Sequence, residues 1–286
     1  MAVDGIRVVD AHVHAARLPT LKLAWEDWTV QFADRIPLAA IYDDQGTVRP
    51  AAFHAYLADE GVDLAFLMAE YSPKVTGIQP VEDLLPIVEH DPSRVRFIAA
   101  VNPHYHFPVR REVRRQLDLG AVALKLHPVH GGYPPNGKEL YPAYALCEER
   151  GIPAVFHSGT SVYPGATNRY GDPVLIDEVA RDFPDLTIVL AHAGRGWWFD
   201  AAAFLALARP RVWLEVSGLP PKRLPDYFAR HDFGRPARRM VFGTDWPGAP
   251  GMRANVEAIL GLGLDHDTAE RVLHRNADEL YHLGGR

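Results

Sequence analysis

A single (β/α)8 barrel of the TIM type is the fold class this sequence predicts. Three observations predict it: eight short apolar runs, helix-like stretches between them, and a marked asymmetry in connection length. The runs are Ile6–His14, Val62–Ala69, Val95–Val101, Ala121–His127, Ile152–His157, Thr187–His192, Val212–Ser217 and Met240–Asp245. Each is six to nine residues long and rich in β-branched side chains, the pattern of strands buried on both faces of a parallel sheet. Between them lie the amphipathic stretches Ala51–Glu60, Val81–His90, Glu112–Leu119, Leu140–Arg150, Pro173–Asp182 and Trp198–Ala208. Helix-to-strand links are terse (Glu60-Gly61, Leu119-Gly120, Arg150-Gly151), whereas Ala15–Arg49, Pro128–Lys138 and Ser158–Asp172 are long. Barrel enzymes build their sites from the loops after the strands, so the long links mark the functional face. Trp25 and Trp28 in the first long link predict either a lid or the packing of a short extra helix.

The chain has 286 residues, enough for one barrel of about 250 residues, and no Gly- or Ser-rich linker divides it, so 1–286 reads as one domain. A net charge of −6 gives no basic field for nucleic acid, and the arginines at 110, 111, 114 and 115 read as a solvated helix face. No apolar run approaches the roughly 20 residues of a membrane span. Cys147 is the only cysteine; it falls on an amphipathic helix as a small buried hydrophobe and excludes an internal disulfide. With no signal-like N-terminus, the expected compartment is the cytoplasm.

The chemistry concentrates at the ends of the runs. Asp10-Ala11-His12-Val13-His14 closes the first. A strand repeats every two residues, so His12 and His14 share a face and can chelate one ion, although a histidine pair alone is equally a structural feature. The fifth run ends at His157, the sixth at His192 and the eighth at Asp245. Polar groups in a barrel wall are costly unless partnered, and these all sit at the same end of their runs. The expectation is one divalent metal held by His12, His14, His157 and Asp245. Such an ion keeps a position open and lowers the pKa of water there to about 7. Asp245 could also orient the nucleophile, and His192 is expected as general acid/base rather than as a fifth ligand.

These motifs resemble the amidohydrolase superfamily, in particular the branch related to aminocarboxymuconate-semialdehyde decarboxylase. The resemblance rests on Asp10 to His14, Lys125-Leu126-His127-Pro128, Phe156-His157-Ser158-Gly159, Tyr170 to Pro173, Leu190 to Gly194, Phe242 to Pro247 and Arg275-Asn276-Ala277. It implies a mononuclear site, usually zinc, with manganese, nickel or iron as alternatives. It also implies that His192 is the catalytic imidazole. Other members hold two metals bridged by a carboxylated lysine on the fourth strand, where Lys125 stands. The alternatives for Lys125 are an anchor for a substrate carboxylate or phenolate and a buried ion pair with Asp10. His127, Arg195 and Trp246 are further candidates for substrate contact, with Trp197 and Trp198 as aromatic walls or loop packing. Asp10 is expected to orient a ligand from behind.

The constellation is common to hydrolysis, in which water attacks an ester, lactone or amide, and to non-oxidative decarboxylation of an aromatic or muconate-type acid. The intact His12-x-His14 pair and the lack of a distinctive ring-carboxylate cluster favour hydrolysis. Hydration of a double bond and a non-catalytic binding barrel are the remaining readings. The partner expected is a small molecule, neither nucleic acid nor membrane, and relatives often form homodimers.

Overall fold

The structure is a computed structural model and describes residues 5–283. Eight strands follow one another around the sheet in chain order, all parallel: β1 Val9–Val13, β2 Leu64–Met68, β3 Val95–Val101, β4 Leu124–Leu126, β5 Ala154–Gly159, β6 Ile188–Arg195, β7 Val212–Glu215 and β8 Met240–Val241. The seam between β8 and β1 closes through Ala11 N to Phe242 O (3.0 Å), Asp245 N to His12 O (2.9 Å) and His14 N to Trp246 O (2.8 Å). Six helices occupy the predicted stretches to within a few residues; Val81–His90 and Pro173–Asp182 agree at both ends. Asp172 caps the latter by accepting from Val174 N at 3.0 Å. Among the described residues no helix is long and apolar enough to cross a membrane.

Strand alternation divides the core in two. One set, including Val13, Leu67, Phe97, Phe156 and Leu190, packs outward against the helices. The other fills the barrel: Val9 and Ala11, Leu64, Phe66 and Met68, Ile98, Ala123, Val155, Val189 and Ala191, Trp213, and Val241. The helix Asn276–Leu280 and Tyr281 stopper the base, with the Tyr281 ring 4.6 Å from Phe66. Carried two and four residues further, the inward rows arrive at Glu70, Lys125 and His127, His157, Glu215 and Ser217, and Asp245. The interior is therefore apolar below and polar at the C-terminal mouth, the end at which barrel enzymes hold their sites.

Two inward rows would present the wrong residue without a local irregularity. Regular alternation after Val9 and Ala11 would turn Val13 inward; a register shift between Asp10 and Val13 turns His12 and His14 inward instead. On β6 the row Val189, Ala191 would leave His192 outside, but His192 and Ala193 adopt φ values of 63° and 47°. That left-handed step, uncommon for residues other than glycine, swings the imidazole into the cavity. Asp245 also has positive φ, 65°.

The long links carry structure of their own, including a short extra helix bearing Trp25 and Trp28. Ala15–Arg49 contains the helices Leu23–Val30 and Leu38–Ile41. An antiparallel hairpin, Glu70–Ser72 with Gly77–Gln79, follows β2 and was not anticipated. Gly77 has φ 117°, and a Cβ there would lie 2.3 Å from the Thr20 carbonyl, so glycine is required where the hairpin meets the first link.

Candidate active site

A cavity of about 360 Å³ opens at the C-terminal mouth and contains every inward polar group except Glu215 and Ser217, which lie behind its wall. Its metal corner is built from β1 and β8. His12 Nε2 is 3.2 Å from His14 Nε2, and Asp245 Oδ1 is 3.5 Å from the first and 3.4 Å from the second. These three groups are the candidate metal cluster among the described residues. The carboxylate of Glu215 sits 2.6 Å from His12 Nδ1, so that nitrogen carries the proton and Nε2 presents a lone pair to the cavity. Glu215 is itself fixed by Ser217, whose backbone N–H and hydroxyl both donate to it.

The spacing tests whether a cation fits. Ligands about 2.0–2.2 Å from a tetrahedral centre lie roughly 3.3–3.6 Å from one another, and the three observed separations fall in or just below that window. Burial lowers the pKa values of His12, His157 and His192 well below the usual imidazole value, reinforced by nearby positive charge, so their nitrogens hold lone pairs. Burial pushes the Asp245 carboxyl up, but the hydrogen bond with His14 and the neighbouring imidazoles and Arg195 outweigh it and hold it well below the usual carboxylate range. His12, His157 and Asp245 thus suit a divalent ion without protonation.

Of the expected ligands, His157 stands outside the three-donor cluster. It lines the same cavity, its ring lies 4.6 Å from that of His192, and its Nε2 has no hydrogen-bond partner. His192 Nδ1 donates to the Ser217 carbonyl at 3.0 Å, which leaves Nε2 as an acceptor; its ring is 4.9 Å from that of His12. Lys125 is fully buried and its Nζ has no hydrogen-bond partner, so of the alternatives for it the ion pair with Asp10 does not form. Burial lowers its pKa; Glu215, Asp245 and Glu70 are the charges that oppose the shift. His127 and Arg195 both line the cavity; Arg195 Nη1 is 3.8 Å from Asp245 Oδ2.

Three expectations need correction. Trp246 does not contact the cavity: it is fully buried behind β8, with its ring 5.3 Å from Phe53 and 5.8 Å from Tyr56. Trp197 is exposed and pairs with Trp198, away from the lining. Asp10 hydrogen-bonds to no ligand side chain and steadies His12 only through its backbone. It accepts from His12 N, Thr244 N and Thr244 Oγ1 at 3.1, 3.0 and 2.6 Å and so fastens β1 to the end of β8, while burial raises its pKa to about 7.

The aromatic walls come instead from Trp25 and Trp28 of the first link and Tyr163 of the link after β5. The indoles lie 5.4 and 6.1 Å from His14, edge to face. Glu70, Glu215 and Ser217 were missed. Each ends an apolar run at an inward position, the same signal that pointed to Asp245. Gly243 completes the corner: a Cβ there would lie 2.6 Å from Glu215 Oε1 and 2.9 Å from His12 Cβ, so only glycine lets carboxylate and imidazole meet.

Comparison with known proteins fits this geometry. The amidohydrolase family model matches residues 9–283. An uncharacterised TIM-barrel protein from Bordetella bronchiseptica superimposes with TM-score 0.77 at 24% identity, covering 98% of this chain and all of that one. A 2,6-dihydroxybenzoate decarboxylase from Rhizobium gives 0.66 at 15% identity over 98% of this chain and 100% of the other. A probable 2-pyrone-4,6-dicarboxylic acid hydrolase from Acinetobacter baumannii, with citric acid bound, gives 0.64 at 15% identity over 97% and 100%. None of the curated proteins compared matches the chain.

Proposed function

This chain belongs to the amidohydrolase family, and on that premise we propose that it is a metal-dependent hydrolase of a small, cyclic, anionic ester, lactone or amide. The observation that carries the reading is the set of separations among His12, His14 and Asp245, which suits one tetrahedral ion. His157, with its unpartnered Nε2, is the fourth ligand in this reading, and imidazole with carboxylate is a donor set suited to zinc. A divalent ion there would supply Lewis acidity, polarising a substrate oxygen and acidifying water at neutral pH.

The protein's own groups divide the remaining work. His192, held by the Ser217 carbonyl with Nε2 free, accepts a proton from the attacking water and returns it to the leaving group. Because its resting form presents a lone pair, it is better suited to begin a reaction as base than to protonate a carbon as acid. Lys125 and Arg195 bring positive charge to the cavity for a substrate carboxylate or phenolate, while Trp25, Trp28 and Tyr163 flank a flat ring and exclude water. The buried, unpartnered ammonium of Lys125 also favours a second reading, non-oxidative decarboxylation of an aromatic acid bound through its carboxylate.

A panel of aryl lactones, esters and benzoates separates the two. Proton release from lactones or esters with a component lost with a chelator and restored by zinc is the expected result. CO₂ release from the benzoates would replace hydrolysis by decarboxylation, and the absence of any chelator-sensitive turnover would overturn both.

A further inference from the structure

Away from the three clustered donors, the hairpin after β2, the link after β4 and the link after β5 bring Glu70, His130 and Ser161 into one line. His130 Nδ1 lies 3.0 Å from Glu70 Oε1, and its Nε2 lies 3.1 Å from Ser161 Oγ. All three are buried and all three line the cavity. Glu70 also accepts from Thr76 Oγ1, and its other oxygen is 3.4 Å from His127 Nε2, so the carboxylate is held in place.

The hydrogen bonds fix the direction of the chain. A carboxylate only accepts, so His130 Nδ1 carries a proton and donates to Glu70; in the Nδ1–H tautomer Nε2 accepts, and the partner that donates is the Ser161 hydroxyl. Ser161 Oγ is left with lone pairs toward the cavity and toward Tyr163 N, 3.3 Å away. Its backbone is pinned by Ser161 N donating to Asn168 Oδ1 at 2.8 Å. Carboxylate behind imidazole behind hydroxyl is the order that activates a serine, whatever the fold that presents it. Arg195 Nε donates to the carbonyl of the preceding residue, Thr160, at 3.3 Å, and so sets a guanidinium beside the same loop, where charge would develop on an acyl oxygen.

We propose that Ser161 is a nucleophile, activated by His130 and oriented through Glu70, and that the cavity supports serine acyl transfer from small carboxylic esters independently of the metal. Ser161 Oγ bonds to the acyl carbon as its proton passes to His130 Nε2. That proton then leaves with the departing alkoxide as an alcohol. Water, deprotonated by the same nitrogen, attacks the acyl-serine ester and frees the acid and Ser161. No oxidant, reductant or further reactant is consumed. Tyr163, with its ring 5.5 Å from His130 and 6.5 Å from Trp28, favours esters carrying an aromatic group.

The test exposes the purified full-length protein, zinc-loaded and chelator-treated, to a fluorophosphonate and reads the adduct by intact and peptide mass spectrometry. Oγ replaces fluoride at phosphorus, and hydrogen fluoride departs. One adduct per chain on the peptide bearing Ser161 is expected in both samples, absent in Ser161→Ala and formed about 10²-fold more slowly in His130→Gln. Glu70→Gln should slow labelling and Glu70→Asp should recover part of the rate, a pattern that loss of packing alone would not give; thermal melting checks that each variant is folded. Absence of the Ser161 adduct, or an unchanged rate in His130→Gln, overturns the proposal. That failure is separate from failure of the metal reading, which turns on chelator-sensitive turnover.

Discussion

The two walls of the cavity use one device to opposite ends. On the β1–β8 wall the Glu215 carboxylate holds the Nδ1–H of His12, and the other nitrogen faces His14 Nε2 at 3.2 Å and Asp245 Oδ1 at 3.5 Å. On the facing links Glu70 holds the Nδ1–H of His130, and the other nitrogen faces a hydroxyl. A carboxylate behind an imidazole fixes its tautomer in both places. What stands in front decides the chemistry: acceptors converging on a point make a cation site, whereas a single donor makes a base. His192 is an intermediate case, with a neutral carbonyl in place of a carboxylate behind it.

The sharpest way to break this contrast is at the converging lone pairs. His14→Ala should reduce the metal content measured by elemental mass spectrometry to background and abolish chelator-sensitive turnover; full occupancy would show that the donors do not form the site. His192→Ala comes next: turnover should fall by about 10²–10⁴-fold with metal retained. Loss of the ion in that variant would move His192 into the ligand set and leave the base unassigned. The mildest test is at the back of the wall, where Glu215→Gln should weaken metal binding by about 10–100-fold, read by competition with a chromogenic chelator. An unchanged affinity would mean that the carboxylate behind His12 is only a packing partner, and the parallel with Glu70 would fail.

Much of the first wall was legible in the chain itself. His14 and Asp245 each end one of the predicted strand runs, with His12 two residues before His14, and a polar group at the end of such a run stands out because it needs a partner there. The second wall was not, because Glu70, His130 and Ser161 lie on a hairpin and two links whose paths depend on contacts distant in sequence, such as Lys22 N to Thr76 O at 2.9 Å. Period-two reasoning also reached the right face at His12 and His14 for an incomplete reason: the register shift on β1, not simple alternation, turns them inward. The turn at His192 depends on a backbone angle that residue type does not disclose. Trp246 shows the converse error. Its place beside Asp245 suggested a wall of the site, but alternation sends adjacent side chains to opposite faces, and it packs on Phe53 and Tyr56.

The bare backbone at residue 243 bears on how such chains are sorted by their motifs. A lone methyl group at that point would press on an oxygen of the acid and on the carbon that carries the ring, while every coordinating side chain remained in the text of the protein. A homologue so altered would pass any check that counts histidines and aspartates, yet its first histidine would be free to take the other tautomer. In a survey of related genes, glycine at this position is therefore a better marker of a working centre than the coordinating letters taken alone.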